Sequence, residues 1–491
     1  MRLLSAIVIS LVFLTIFAGA QAIEKKVDTP NPGTSADDVL QKRVEQLEEQ
    51  LAAIKIELAR IKEQAKPAEK NTSAIKPAER PDEKTSAVST AIKTENRAQT
   101  DQKQLGIDLG SVRLTPYGTL FFNAFSNSGA VNNNDVPLFA AASGQGGTSA
   151  SARQTRLGLR FEGARLGTAR VGGVIEADFF GGFPTVGIGE NFGVVRVRSA
   201  FVKLDWERTS LTLGQDWMPF APVNPASLAA AAIPQLAAAG NNWARIPQIR
   251  VDHKIGNHLT ITGAILAPQT GDHPSGSTFF LQPNSGAISR TPFLQSRIAF
   301  ADKDWLGTKK LGTIGVSAHY GQSKIPLGTT SAGSEVESVG IALDWNIPLH
   351  RRVGLSGEGF FGRNLGGFQA GIFQGVNTEF AYRDGSTIRP AGARAIGTKG
   401  GWAQIGFTPD LFKDRWTLYA SVGLDDPHDQ DLTSVSRFNF RSRNLALAFN
   451  TIYKVTPQLS FGAEYRRFVT QYFVTGRRTS QHINLAAAYS F

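Results

Sequence analysis

The segment RQTRLGLRFEG, residues 153–163, alternates strictly between two kinds of side chain. One set is apolar: Leu157, Leu159 and Phe161. The positions between them hold Arg156, Gly158, Arg160 and Glu162. Because successive residues of a β-strand point to opposite faces, the segment predicts a strand with one oily and one charged face. An arginine facing lipid would cost about 2–4 kcal/mol at the membrane midplane, so the arginines are predicted to face inward.

The same alternation recurs along the rest of the chain. Sixteen candidate strands lie between residues 113 and 491, among them 169–181, 193–205, 436–450 and 481–491. In the strand at 193–205, Val195, Val197 and Phe201 are expected to face outward. In the strand at 436–450, Phe438 and Phe440 are expected to do so. Regular two-residue periodicity over so many short segments indicates an all-β protein.

The connections between these segments alternate in length. Long ones lie at 126–152, 218–243, 268–292 and 364–397, and tight turns such as GARLGT and KIGNH separate them. Outer-membrane barrels have this arrangement, with an even number of strands. Beyond the N-terminal segment no apolar run reaches the length of about 18 residues that a spanning helix needs. The sequence therefore predicts a 16-stranded antiparallel transmembrane β-barrel over residues 107–491.

Three further segments precede the predicted barrel. Residues 1–22 combine Arg2, a 15-residue apolar run and a small-residue cleavage site, as in a secretory signal peptide. Residues 37–64 carry an unbroken heptad seam from Leu40 to Ile61, which predicts a helical coiled coil in the periplasm. An amphipathic helix packed on its own chain is the alternative. Residues 65–106 read as a charged flexible linker. The chain has no cysteine, so disulfides contribute nothing to its stability.

The inward positions of the predicted strands define a candidate channel wall that is rich in arginine. Its predicted residues are Arg156, Arg160, Glu176, Asp178, Arg196, Arg198, Asp216, Arg250, Arg297, Arg437, Arg441, Glu464 and Arg466. Residues 1–106 hold 16 of the 52 Lys and Arg and 15 of the 41 Asp and Glu, which leaves 36 and 26, a net charge of +10, for the barrel. Rings of basic side chains favour anions. Alternatively, the arginines pair with the acids and stiffen the wall, and both roles are compatible.

The third long connection, residues 218–243, has an unusual composition for a solvated outer loop. Its middle is rich in alanine and interrupted by proline, which indicates a segment packed against other residues. We expect it to fold into the barrel and narrow the channel. The residues predicted to form the constriction are Pro219, Phe220, Pro222, Asn224, Pro225 and Pro234. A loop packed over the barrel mouth or on a neighbouring subunit is the alternative.

The last ten residues, HINLAAAYSF, again alternate and end on Phe491. We expect Phe491 to lie on the lipid-facing side of the closing strand, in the aromatic girdle. A terminal aromatic residue in this setting resembles the signal that the bacterial barrel-assembly machinery recognises.

Several of these segments resemble the DcaP-like outer-membrane porins. The resemblance rests on RQTRLGLRFEG, GVIEADFFGG, VRVRSAFVKLDW and LTLGQDWMPF, all within residues 153–220. It implies a homotrimer of 16-stranded barrels with an N-terminal coiled coil and an arginine-lined pore for anionic solutes such as dicarboxylates. It also implies that Arg156, Arg160, Arg196 and Arg198 are wall residues, and that Gln215, Asp216 and Trp217 lead into the constricting loop. The linker at 65–106 departs from the family pattern.

The functional prediction is a passive outer-membrane porin that prefers small anions, with neither enzyme activity nor a cofactor. The alternative is a non-selective or sugar/phosphate-type porin that also tethers the outer membrane to peptidoglycan through its coiled coil. The seven histidines show neither the spacing of metal ligands nor a catalytic neighbourhood. The basic residues alternate along strands and form no basic arm, so nucleic acid is not an expected partner.

Overall fold

A computed structural model describes residues 106–182, 193–272, 282–326 and 333–491. The predicted signal peptide and coiled coil, and all of the predicted linker except residue 106, lie outside the described residues. None of the described helices is long and apolar enough to cross a membrane.

Sixteen strands form the wall of the barrel, and each corresponds to one of the predicted strands. They are β2 (Val112–Asn127), β4 (Arg156–Leu166), β5 (Ala169–Asp178), β6 (Arg196–Asp205), β7 (Thr209–Trp217), β8 (Arg245–Ile255), β9 (Leu259–Leu266), β10 (Phe293–Asp302), β11 (Gly312–Pro326), β12 (Gly333–His350), β13 (Val353–Arg363), β16 (Gly397–Phe407), β17 (Trp416–Pro427), β18 (Arg441–Lys454), β19 (Leu459–Tyr472) and β20 (Gly476–Ser490). Each pairs antiparallel with its neighbours along the chain, and the predicted fold class is confirmed for the barrel.

Smaller elements lie in the connections and were not predicted. Two short strands, β1 (Ile107–Leu109) and β3 (Gly147–Ser151), add to β2, and β14 (Val376–Asp384) pairs with β15 (Thr387–Ala395) as a separate hairpin. Short helices span Ser285–Ser289 and Ala370–Phe373. Single 3₁₀ turns span Trp305–Gly307, Gly366–Phe368, Phe412–Asp414 and Asp429–Asp431.

The sheet closes on itself through the first and last wall strands. β20 pairs with β2 over nine residues, from Thr119 opposite Ser490 to Asn127 opposite His482. Beyond this ladder, the backbone N–H of Phe491 donates to the Gly118 carbonyl, and the Gly118 N–H donates to the Phe491 carbonyl, each at 3.1 Å. Closure removes the exposed edges that an open sheet would present.

The two faces of the wall differ as the alternation predicts. On β8, Ile249 and Val251 are 53% and 42% exposed, whereas Gln248 and Asp252 are 5% and 6% exposed. The outward residues are thus apolar and uncovered, while the inward residues are polar and packed. The same alternation along β18, β19 and β20 gives the barrel an apolar outer surface and a polar interior.

A β-bulge between β5 and β6 changes the facing of one predicted residue. Glu176 is opposite Ser199 and Ala177 is opposite Val197, so Arg198 is an extra residue in β6. One inserted residue reverses the alternation beyond it. Phe201 therefore lies opposite Val174 on the inward face, and its predicted outward position is wrong.

The strand predicted at 436–450 begins five residues later, at Arg441. Arg437 lies in the preceding connection, is exposed and has a φ of +56°, so its predicted place on the inward face of a strand is wrong. Phe440 was predicted to face lipid, but it is buried in a small apolar cluster with Ile396 and Leu432. Phe440 is thus the last residue of the connection that precedes β18.

We expect the closure of the barrel to depend on the absence of a side chain at Gly118. A Cβ atom there would lie 2.7 Å from Cζ of Phe491 and 2.9 Å from the backbone oxygen of Arg156. Gly118→Val should therefore lower the free energy of unfolding by about 1–3 kcal/mol through overpacking. Denaturant titration of the protein refolded into lipid vesicles measures this change.

Gly263→Val is the matched control, because a Cβ atom on this outward-facing glycine of β9 meets nothing within 4 Å. Its free energy of unfolding should stay within about 0.5 kcal/mol of the wild type, as for most surface substitutions. Equal effects of the two variants would contradict this account of the closure.

Candidate functional site: the inner wall and the inward connections

Strands β5 and β6 carry a network of ion pairs on their inward face. Nη2 of Arg196 lies 2.6 Å from Oδ2 of Asp178. Arg198 bridges both acids: its Nε lies 2.7 Å from Oε1 of Glu176 and its Nη1 lies 2.9 Å from Oδ2 of Asp178. The side chains of Arg198 and Asp178 are almost fully buried. Antiparallel pairing and the bulge bring these four predicted wall residues together.

Two further predicted arginines lie on the adjacent strand β4. The guanidinium of Arg160 lies 5.3 Å from the ring centre of Tyr117, and that of Arg156 lies 5.8 Å from the ring centre of Phe121. The Tyr117 hydroxyl donates to Oε2 of Glu176 at 3.1 Å. Together with Arg196 and Arg198, these arginines outnumber the inward acids Glu162, Glu176 and Asp178 by one, so this sector carries a local excess of positive charge.

The other predicted arginines of the wall strands differ in their partners. Arg250 lies 3.5 Å from Asp216 and 3.1 Å from Asp252. Arg466 lies 2.5 Å from Glu464, and both side chains are buried. Arg441 donates from Nε to the backbone oxygen of Ile372 at 2.9 Å and lies over the Phe139 ring. Arg250 and Arg466 thus pair with acids, whereas Arg441 binds a connection.

Arg297 reaches an acid two strands away. Its Nη2 lies 2.5 Å from Oδ2 of Asp344, and β11 runs between the two strands. The guanidinium crosses β11 over Gly315, where a Cβ atom would lie 2.5 Å from Nη2. A glycine at this position therefore makes the contact possible.

Three buried acids on the opposite side of the barrel were not among the predicted site residues. Asp344, Glu358 and Asp425 lie on β12, β13 and β17 and are at most 1% exposed. Glu358 accepts hydrogen bonds from the backbone N–H and Nδ2 of Asn242, at 2.9 and 2.8 Å. In sequence order around the wall, β4–β6 are the second to fourth strands, and β12 and β13 are the tenth and eleventh. The alternation alone would have found Asp344, which stands between Leu343 and Trp345. It gives a weaker signal for the other two, because Glu358 stands between two glycines and Asp425 is followed by Asp426.

The connection between β7 and β8, residues 218–244, binds inward-facing side chains on many strands. The backbone N–H groups of Phe220, Ala221 and Ala226 donate to Gln295 on β10, Ser317 on β11 and Gln404 on β16, at 3.1, 3.1 and 2.8 Å. Further hydrogen bonds reach β6, β13 and β17–β19. Pro219, Phe220, Pro225 and Pro234 are buried, whereas Pro222 and Asn224 are partly buried.

Gln154, just before β4, fixes the tip of this connection. Its Oε1 accepts from the backbone N–H groups of Ala231 and Ala232 at 2.8 and 2.9 Å, and its Nε2 donates to the Ala229 oxygen at 2.9 Å. Arg196 donates to the Ala232 oxygen at 3.0 Å. One face of the connection is therefore held against the arginine-rich sector.

The alanines of this connection pack against two other connections. They share an apolar cluster with residues of 128–155 and 364–375; its buried members include Leu138, Phe139, Ala230, Ala232, Ala237, Ala238, Trp243 and Ile372. Small residues are needed in this connection because its backbone approaches the wall closely. Gly240 has a φ of +101°, and a Cβ atom there would lie 2.1 Å from the Gly401 oxygen on the wall. The sequence predicted a packed segment but gave no signal for its two partners.

No three His, Asp or Glu side chains within residues 106–491, outside the three undescribed gaps, form a group that could hold a metal ion.

Comparison with known proteins gives matches to solved structures alone: no family model and no curated protein matches the chain. The outer membrane channel DcaP of Acinetobacter baumannii matches with a TM-score of 0.57 and 18% identity, over 79% of this chain and 100% of that one. OmpT of Vibrio cholerae matches with a TM-score of 0.48 and 9% identity over the same shares. An anion-selective porin from Comamonas acidovorans matches with a TM-score of 0.47 and 12% identity, over 77% of this chain and 100% of that one.

At 18% identity, the DcaP match concerns the fold alone. The chain therefore has the fold of the DcaP outer-membrane channel, a closed barrel of sixteen antiparallel strands.

Proposed function

We propose that this chain is a passive outer-membrane channel that prefers small anionic solutes. The observation that supports this proposal most directly is the excess of arginine over acid on β4–β6. A positive potential inside a low-dielectric wall raises the local concentration of anions. The fixed fork of each guanidinium suits carboxylate and phosphate groups.

The charge on the two sides of the interior suggests how a solute would be oriented. The arginine-rich sector lies about half the circumference away from Asp344 and Glu358. A solute with carboxylates would turn its charged end toward the guanidinium groups of this arginine-rich sector, which include those of Arg156 and Arg160 over the Phe121 and Tyr117 rings. Dicarboxylates are the solute class we propose, because two anionic ends can bind successive arginines.

The connection at 218–244 is the proposed constriction. Its hydrogen bonds to Gln154, Gln295 and Gln404 come from widely separated parts of the wall, which supports a path across the interior. The shared apolar cluster with 128–155 and 364–375 would hold it in place. The size limit for solutes would then depend on all three connections.

Assembly and location complete the proposal. The protein would form a homotrimer in the outer membrane, with residues 37–64 as a periplasmic coiled coil and residues 1–22 removed after export. Phe491 would be recognised by the barrel-assembly machinery. The apolar, exposed outward faces of β5–β7 would supply an interface between subunits.

A non-selective or sugar/phosphate-type porin, tethered to peptidoglycan through the coiled coil, is the second candidate. The three buried acids Asp344, Glu358 and Asp425 favour it, because they offset part of the basic charge of the interior. The tether is tested separately by peptidoglycan pull-down with and without residues 37–64.

Neutralising the arginines of β4 should reduce anion preference. One unit charge about 7 Å from an ion in water changes its energy by roughly 0.6 kcal/mol before screening. We therefore expect Arg156→Gln/Arg160→Gln to lower the anion-to-cation permeability ratio at least about two-fold. Reversal potentials across a salt gradient in planar bilayers measure the ratio.

Arg437→Gln is the matched control, because Arg437 is an exposed residue of a connection. It should leave the ratio unchanged. Cation preference of the wild type would refute anion selectivity, and a ratio near one would favour the second candidate.

Removing the middle of the proposed constriction should widen the channel. Deletion of residues 226–238 takes away the alanines that contact Gln154 and the shared apolar cluster. Single-channel conductance in planar bilayers should rise. If the deletion variant folds, as judged by its heat-dependent gel mobility, and conducts like the wild type, the connection is not the constriction.

A further inference from the structure

A row of polar, mostly basic residues crosses the outward face of β16–β20, at the end of the barrel where the long connections 364–396 and 428–440 lie. The row contains Lys399, Asp426, Arg443, Gln471 and Arg477, and Arg467 lies on β19 four residues from Gln471. We call these six residues the basic rim patch. None of them belongs to the predicted channel wall.

Strand register places the members of the patch side by side. Lys399 is opposite Asp426, Arg443 is opposite Gln471, and Gln471 is opposite Arg477. Arg467 is opposite Gln481 on β20 and Leu447 on β18. The residues between them along each strand, such as Asn444, Thr470 and Ser480, are buried on the inward face. The patch therefore faces away from the channel.

The patch has more positive charge than its neighbours neutralise. It holds four basic residues and one acid, and Asp426 lies 3.9 Å from Arg443, whose side chain is 59% exposed. Among the described residues, Lys399, Arg467 and Arg477 make no ion pair with an acid. These cations are available to an anionic ligand from outside the barrel.

The surroundings of the patch point to a lipid as that ligand. On the membrane side of Arg467, the same outward face continues with Tyr465, Phe449 and Ile483, of which Phe449 and Ile483 are more than half exposed. A ligand on this face would contact apolar side chains along most of its length and guanidinium groups at one end. By contrast, the outward residues of β5, β7 and β9 include no Lys, Arg, Asp or Glu.

We infer that the basic rim patch binds the phosphorylated headgroup of an outer-leaflet lipid whose acyl chains lie along β18–β20. This inference rests on the outer-membrane location proposed above. Guanidinium groups bind phosphate through paired hydrogen bonds, and basic residues beside a bilayer attract anionic headgroups. A membrane lipid is the ligand that would contact the outward face of a barrel at the end where the long connections lie.

The spacing of the arginines indicates a headgroup with more than one phosphate. Neighbouring strands lie about 4.8 Å apart, so the backbones at Arg443 and Arg477, two strands apart, are separated by about 10 Å. Arg467 is four residues along β19 from the row, a distance of about 13 Å at the usual rise per residue. Two phosphates on one disaccharide headgroup would fit such separated cations, whereas a single phosphate would occupy one of them.

Lipid binding to a charge-neutralised variant tests the inference. Arg443→Gln/Arg467→Gln/Arg477→Gln removes three cations of the patch and leaves a shorter, neutral polar side chain at each position. The full-length protein in detergent is titrated with bisphosphorylated lipid A and with the same lipid after removal of both phosphates. We expect the variant to bind lipid A at least about tenfold more weakly, and the wild type to bind the dephosphorylated lipid at the variant's level.

Arg165→Gln/Arg170→Gln/Arg208→Gln is the matched control, with three exposed arginines removed near the short turns. It should bind lipid A like the wild type. Equal binding of lipid A by all three proteins would overturn the inference. So would loss of the oligomer in the patch variant with unchanged lipid binding, which would assign the patch to contact with a second copy of the chain.

Planar-bilayer recordings separate this inference from the proposed channel function. The patch variant should insert and conduct like the wild type, because its substitutions lie outside the channel wall. If the wild type forms no channel, the proposed function fails. If the wild type forms channels but the patch variant binds lipid A as tightly as the wild type does, only the lipid inference fails.

Discussion

The structure depends on one constraint: no backbone polar group of a strand at an apolar surface can be left without a partner. A sheet meets this requirement when it closes on itself, which β20 and β2 achieve through nine opposed residues and the bonds between Gly118 and Phe491. Closure then divides the side chains into two populations with different solvents. The outward set on β8, such as Ile249 and Val251, is apolar, and the inward set is free to be charged.

The interior is organised by the way its charges are compensated. Arg198 bridges Glu176 and Asp178 at 2.7 and 2.9 Å, so much of its charge stiffens the wall between β5 and β6. Buried ion pairs are costly to break, because the remaining partner is left without a counter-charge. Elsewhere the acids hold connections instead: Glu358 binds Asn242 in the segment at 218–244. The wall and the connections are thus one polar network, and the proposed selectivity comes from the excess of arginine over acid on β4–β6.

Much of this architecture could be predicted from the sequence, because an apolar outer face and a polar inner face give every wall strand a period of two. All sixteen wall strands and most of their facings follow from that period. Its failures have local physical causes. Arg198 is an extra residue in a bulge, so Phe201 faces inward. Alternation in the sequence does not reveal where the pairing of two strands contains such a bulge. Phe440 resembles a strand residue, but Ile396 and Leu432 bury it within a connection. The packing of Ile372 against the alanines of 218–244 was beyond prediction, since it joins segments more than 120 residues apart.

The central claim is that alternate residues of each wall strand face an apolar exterior and a polar interior. A cysteine scan along β8 tests it most directly, because the chain has no native cysteine. Single cysteines at 248, 249, 250, 251 and 252 would be spin-labelled in lipid vesicles, and their accessibility to oxygen and to a water-soluble nickel chelate compared. Oxygen partitions into the bilayer, so labels at Ile249 and Val251 should favour oxygen, and labels at Gln248, Arg250 and Asp252 should not. Accessibility without a period of two, or greater oxygen accessibility at Arg250 than at Ile249, would contradict the account.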